Sequence, residues 1–301
     1  METCMEGQHD TKRKKRFGDR PDGRKLRTVA PMARVIYFIM KKRSDAQNYF
    51  ADTIELDAVD EYIRKKHAEG MKTFGLMHLF VAAYIRTVSQ RPGINRFVSG
   101  QTLYSRDYAE VVMTIKREMR LDAPDTCIKL RFDRNATAND VYEKFNQLIT
   151  EYRSNPGESD FDKVAKILNY IPRLLLRFLV GVLNFLDYFG LMPKALLEVS
   201  PFHGSFIITS MGSLGIQPIY HHLYDFGNLP IFLSYGAKRY AYETDAEGKV
   251  RRRAYVDFKV VTDERICDGY YFASAVKLMK QYLKNPSRLD EPPAEVLEDI
   301  D

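Results

Sequence analysis

The amino-acid sequence predicts an α+β fold with a mixed, mostly antiparallel sheet. Three observations predict it. Strand-like and helix-like segments alternate without a regular βαβ rhythm, hairpin-type turn signals separate short β-branched runs, and no Gly-rich strand-to-helix turn of the dinucleotide or phosphate-loop kind occurs. The 301 residues are 45% hydrophobic, enough apolar material for a sizeable core.

From Arg27 the chain turns apolar, and PMARVIYFIMKKR has helical spacing and ends in a basic turn that suits a helix C-terminus. YFADTIELD alternates like a strand, and LDAVDEYIRKKHAEGM reads as an amphipathic helix closed by Gly70. FGLMHLFVAAYIRTVSQRPGIN is apolar on nearly every side and predicts a buried helix stopped at Arg91, Pro92 and Gly93. RFVSGQTLYSRD and EVVMTIKREM read as two strands able to pair as a hairpin, and DTCIKLRFD as a further strand. Asn139 is the expected N-cap of the helix NDVYEKFNQLITEYR, after which residues 154–160 form a polar loop.

Residues 164–197 are the most hydrophobic part of the chain, yet carry Arg173, Arg177 and Asp187, with Pro172 and Gly181 inside. Those charges argue against a bilayer span. A broken pair of helices packed on the core or on a partner subunit is expected, with interfacial membrane attachment as the alternative. FIITS, PIFLSYGAKRYAYE and RRAYVDFKVVTDE then give three strands, and YYFASAVKLMKQYLKNP the last helix.

The net charge of +6 is concentrated in residues 12–27, whereas residues 287–301 are acidic. Solvated tails at 1–27 and 287–301 around a domain at 28–286 account for both, and no nucleic-acid partner is expected. Cys4, Cys127 and Cys267 fit neither a disulfide framework nor a CxxC cluster, and no His, Cys or carboxylate set has metal-ligand spacing. No metal is therefore expected. Lacking a signal-peptide pattern or a long uncharged run, the chain is expected in the cytoplasm, without membrane contact.

Two stretches near the end carry the chemistry. TDERICDGYYFASA resembles the His-x-x-x-Asp-Gly signature shared by chloramphenicol acetyltransferase and the catalytic domain of the dihydrolipoamide acyltransferases of 2-oxo acid dehydrogenase complexes. GSFIITSMGSLG resembles the strand before that signature. Two earlier stretches match in order: one places Arg34, Ser44 and Asp57, and the other ends on Pro92 to Asn95. The resemblance spans about residues 28 to 286.

It implies a chloramphenicol acetyltransferase-like two-layer sandwich assembled as a homotrimer, with each active site in a channel between two subunits. Coenzyme A or acyl-CoA is then a substrate. In the family the signature His takes a proton from the thiol or hydroxyl, a Ser or Thr on the preceding strand hydrogen-bonds the oxyanion, and the signature Asp pairs with the early Arg. Carried over by position, the hydroxyl is that of Thr209, and the structural pair is Asp268, beside Gly269, with Arg34.

The His position holds Glu264. A carboxylate titrates near 4.3 and a thiol near 8.5, so an ordinary Glu is a poor base for coenzyme A by roughly 6 kcal/mol. Burial of the carboxyl would narrow that gap. The adjacent His221 and His222, in the loop after the Thr209 strand, offer a substitute in which Glu264 orients one imidazole toward Thr209. Packing against Tyr220 and Tyr224 is the competing role for the pair. His203 reads as a loop histidine bonded to backbone, His67 as surface, His78 as core and Cys267 as packing.

The leading reading is a free-standing CoA-dependent acyltransferase. Twenty-seven residues before the domain cannot fold a lipoyl domain, so no lipoyl group is expected on this chain, and the acyl acceptor is a small molecule or a carrier on another chain. The alternative is a catalytically silent homologue serving as a trimeric binding or assembly module.

Overall fold

The computed structural model describes residues 14–116, 125–154 and 166–301. Its strands are β1 (Arg24–Lys25), β2 (Gln47–Glu55), β3 (Arg96–Ser99), β4 (Thr102–Ser105), β5 (Tyr108–Lys116), β6 (Asp125–Asp133), β7 (Phe206–Ser210), β8 (Ile231–Tyr235), β9 (Arg239–Thr244) and β10 (Val250–Asp263). The helices are α1 (Pro31–Ile39), α2 (Asp57–Ala68), α3 (Leu76–Gln90), α4 (Ala138–Ser154), α5 (Arg173–Tyr188), α6 (Lys194–Val199) and α7 (Gly269–Lys284).

The large sheet runs β2-β10-β8-β7-β5-β6, with β9 paired to the first half of β10. Only β7 lies parallel to its neighbours β5 and β8, and the other pairs are antiparallel. The mixed, mostly antiparallel α+β sheet is the one the sequence predicts. Period-2 alternation sends Val111, Phe206, Ile208, Leu233 and Phe258 to one face, where α2, α3, α4 and α7 cover them. The apolar-all-round α3 is buried along most of its length, and its Tyr84 ring lies 4.0 Å from that of Phe206. The alternate residues Val112, Ile207, Phe232 and Val261 face the opposite side, where only Leu223 and Leu229 of a long loop join them in a small second cluster.

A smaller sheet, β1-β4-β3, packs with α1 around Tyr37, Val98 and Leu103. Its β3–β4 turn has positive φ at both Gly100 and Gln101, the backbone of a two-residue hairpin. Gly100 is needed twice over, because a Cβ there would stand 2.1 Å from the Tyr188 carbonyl oxygen.

Several expectations are corrected. RFVSGQTLYSRD forms its own hairpin, and EVVMTIK pairs instead with β6, because Gly100 closes a turn inside the first stretch. PIFLSYGAKRYAYE splits into β8 and β9, giving four strands after residue 205 rather than three. The cap of α4 is Thr137, whose hydroxyl accepts from the Asp140 N–H while Asp140 accepts from the Thr137 N–H. Asn139 instead accepts from the buried Lys66 ammonium at 3.0 Å. The polar loop expected after residue 154 lies outside the described residues.

Among the described residues, parts of the two end segments are packed rather than solvated. Residues 1–13 lie outside the described residues, but Arg20, Asp22 and Arg24 are buried. Arg24 donates to the carbonyls of Asp299 and Ile300, Arg96 pairs with Asp299, and the Leu297 N–H bonds the Ser89 carbonyl. Basic residues of the N-terminal segment thus take backbone carbonyls and carboxylates from residues 290–301 in place of water.

The expected broken helical segment is present, with breaks at Pro172 and at residues 190–193, but its longest piece, α5, is not packed on the core. Leu174 is 81% exposed and Phe178 65%, and Asp187 is the one buried residue of α5.

Candidate active site

Strand β7 places the Thr209 hydroxyl. Because Phe206 and Ile208 enter the helix-covered core, Ile207 and Thr209 face the other side. There Thr209 is half-buried, in register with Ser234 of β8. It lines a cavity of about 450 Å³ together with Thr114, Cys127, Phe202, Met211, His221, Tyr224 and Phe232. The lining is apolar and aromatic with a few convergent polar groups, as a small-molecule site requires.

The loop carrying His221 is held by side chains from the other end of the chain. Arg43 donates to the carbonyls of Tyr224 and Gly227, and Asp225 accepts from the Ser44 N–H at 2.9 Å and the Ser44 hydroxyl at 3.0 Å. With its loop fixed, the His221 ring stacks on Phe232, centroids 4.2 Å apart and planes 12° from parallel. Its Nε2 is buried without a hydrogen-bond partner. Burial first, and the neighbouring His222 second, hold the imidazole below its ordinary pKa, so it is neutral near pH 7. His222 is exposed, sets its ring against Tyr224 and does not line the cavity.

Glu264 opens a short 3₁₀ turn beyond β10, is exposed, and does not line the cavity that holds Thr209 and His221. Among the described residues it makes no hydrogen bond to either histidine. Around it, Arg265 forks onto Asp263 at 2.8 and 2.7 Å and Arg43 stands 3.4 Å from the same carboxylate, all three buried. Arg265 also donates to the Met40 carbonyl at 2.9 Å.

This cluster corrects the expected pairing of Arg34 with Asp268. Asp268 is exposed and spends its carboxylate on the N-terminus of α7, accepting from the Tyr271 N–H at 2.7 Å. Arg34 is exposed on α1 and donates to the Arg27 carbonyl. Gly269 is the first residue of α7, where a side chain would meet open space. Sequence reasoning missed Arg43 and Asp263. The signal available was an Arg directly before Ser44 and an Asp directly before Glu264, each beside a residue already singled out.

Among the described residues, the remaining histidines and Cys267 have defined surroundings. His203 is buried, with Nδ1 2.7 Å from the Ser200 hydroxyl and Nε2 3.3 Å from Asp187, so its partners are side chains rather than backbone. His78 is a core residue that burial holds at a pKa of about 4, and exposed His67 bonds the Phe74 carbonyl. Burial pushes the Cys267 thiol up to about 12, which keeps it protonated and unreactive. Among the described residues no group of three or more His, Cys, Asp or Glu is placed to hold a metal ion, and no helix is long and apolar enough to cross a membrane.

No protein-family model matches the chain, and no curated protein matches its sequence. Solved structures do match. A probable dihydrolipoamide acetyltransferase from Listeria monocytogenes superposes with a TM-score of 0.54 at 12% identity, covering 87% of this chain and 95% of that one. A dihydrolipoamide acetyltransferase from Azotobacter vinelandii gives 0.55 at 13% identity, covering 87% and 93%. A chloramphenicol acetyltransferase gives 0.51 at 12% identity, covering 84% and 94%. These superpositions show that the chain has the chloramphenicol acetyltransferase-like fold, shared with dihydrolipoamide acetyltransferases.

Proposed function

We propose that this protein is a CoA-dependent acyltransferase in which His221 is the base and Thr209 the oxyanion donor. One observation carries the proposal: both side chains line a single cavity on the face of the sheet opposite α2, α3, α4 and α7. Neutral His221 takes the proton from the acceptor's nucleophile, which attacks the thioester carbonyl. The Thr209 hydroxyl donates a hydrogen bond to the tetrahedral oxyanion. Collapse breaks the acyl–sulfur bond, and the imidazolium returns its proton to the departing CoA thiolate.

Thr114, Ser213 and Leu214 of the cavity lining are exposed, which supports a homotrimer whose neighbouring subunit completes a channel. A small-molecule or carrier-bound acceptor enters there, the protein works in the cytoplasm, and Glu264 stays outside the proton relay.

Calorimetric titration with coenzyme A and acetyl-CoA tests this, followed by thiol release with amine, hydroxyl and thiol acceptors. Binding with acceptor-dependent release that is lost in His221→Gln supports the reading. Release retained in His221→Gln overturns the assignment of the base. A second reading, a catalytically silent assembly module, is favoured by the exposed Glu264 at the family's His position. A trimer in analytical ultracentrifugation that binds no CoA decides for it.

A further inference from the structure

Helix α5 presents to solvent a face that a soluble protein ordinarily buries. At about 100° per residue, Leu174, Leu175, Phe178, Val182, Phe185 and the following Phe189 fall within one sector roughly 100° wide. All six are exposed. On one side of this stripe, Leu176, Leu179, Leu183 and Leu186 are half-buried. On the other side come Arg173, Arg177 and Asn184, all exposed. The helix is fixed to the body at its C-terminal end. There Arg20 holds Asp187 at 2.5 Å, Tyr188 donates to the Gln101 side chain, and Gly100 presses on the Tyr188 carbonyl.

We propose that α5 docks in the plane of an anionic phospholipid surface, with the Leu174–Phe178–Phe185 stripe in the acyl boundary and Arg173 and Arg177 on the headgroup phosphates. An apolar stripe of this width bordered by basic residues, on a helix too short to span, is the pattern of an interfacial helix. Neither Arg173 nor Arg177 is paired with a described carboxylate, and the one acidic residue of α5, Asp187, is buried and neutralised by Arg20. Headgroup phosphates supply both arginines with anions, whereas a protein partner would have to bring matching carboxylates beside its apolar surface. Tyr170 and Tyr188, exposed at the two ends of the helix, suit the same boundary. This inference is independent of the acyl-transfer proposal and replaces the expectation that the chain makes no membrane contact.

The chain contains no Trp, so Phe178→Trp introduces a single reporter. Tyr242→Trp on β9, also exposed, is the control. With vesicles of phosphatidylcholine containing 30% phosphatidylglycerol, the residue-178 reporter is expected to shift blue and be quenched several-fold by brominated acyl chains, and the residue-242 reporter to be unaffected. In flotation, native protein is expected to rise with the anionic vesicles and at least fivefold less with pure phosphatidylcholine. Phe178→Asp/Phe185→Asp should abolish flotation, and Arg173→Glu/Arg177→Glu should remove the anionic preference. Thermal melts of these surface variants check that each is folded. Native protein that stays unbound, or quenching equal at 178 and 242, overturns the proposal. So does a Phe178→Asp/Phe185→Asp variant whose only change is a smaller oligomer in ultracentrifugation, which would assign the stripe to a second copy of the chain.

Discussion

Arg20 and Asp187 meet at 2.5 Å across 167 residues of sequence, both nearly excluded from solvent. The contact joins the N-terminal segment to the end of α5, and Asp22 and His203 close around it.

Removing the carboxylate leaves the buried guanidinium with Asp22 as its one remaining carboxylate among the described residues, beside the Ser99 hydroxyl and the residue-187 carbonyl. Asp187→Ala should therefore cost about 3 kcal/mol, the low end for breaking a buried ion pair, read as a lower urea midpoint. A midpoint within error of the parent would show that the pair contributes nothing.

Acid should erode the fold through the same groups. Burial alone would raise Asp22, Asp187 and Asp299, but Arg106 and Arg20 at the first, His203 and Arg20 at the second, and Arg96 at the third outweigh it. All three titrate below their unfolded value of about 3.9. Their contribution is complete above that value and is lost as the pH falls through the lower folded values. Denaturation at pH 5, 4 and 3 should show a falling stability, with a shallower slope in Asp187→Asn. A flat profile would contradict the assignment.

Thr209→Val removes a donor from a half-buried position without opening the core. Turnover is expected to drop by about 10²–10³-fold with an unchanged melting temperature, and Thr209→Ser should keep most of the activity. Turnover that survives the valine would remove Thr209 from the chemistry.

For His221, burial places the imidazole below the ordinary value of about 6.5. A base must be neutral, so the rate should rise with pH on an acid limb centred below 6.5 and be level by neutrality. His222→Gln should leave the profile in place. A limb at or above 6.5, or one that moves in His222→Gln, would overturn the assignment to His221.

Asp268→Ala should cost only about 1 kcal/mol, the worth of a helix cap, and Arg34→Ala less than about 0.5 kcal/mol. The double variant should be additive. Coupling between the two positions in thermal melts would restore the ion pair that the structure lacks.

What could be read in advance follows from how far apart the interacting groups lie. The cores of α3, β5 and α7 were legible because their periodicity is local, whereas Thr209 was singled out only by position, through the resemblance of GSFIITSMGSLG to the strand before the family's signature. The use of Asp268 was misjudged because two partners compete for it, and the N–H groups one turn away win over a guanidinium more than two hundred residues distant. The arginines of the N-terminal segment look like a solvated charge run since nothing nearby shows that residues 290–301 will offer them carbonyls. Cys127 and His221 share a cavity only because β6, β8 and a loop converge, which no single stretch of sequence records.

The strap formed by residues 290–301 also sets an order in time. Arg24 waits for acceptors 275 and 276 residues downstream, and Arg86 for the Glu291 carbonyl 205 residues on. At about 5–20 residues per second of synthesis, roughly 15–55 s separate the emergence of Arg24 from that of its partners. During that interval the β1-β4-β3 corner carries unmatched guanidinium groups, so its final docking follows the emergence of residues 290–301, after the large sheet has all its strands.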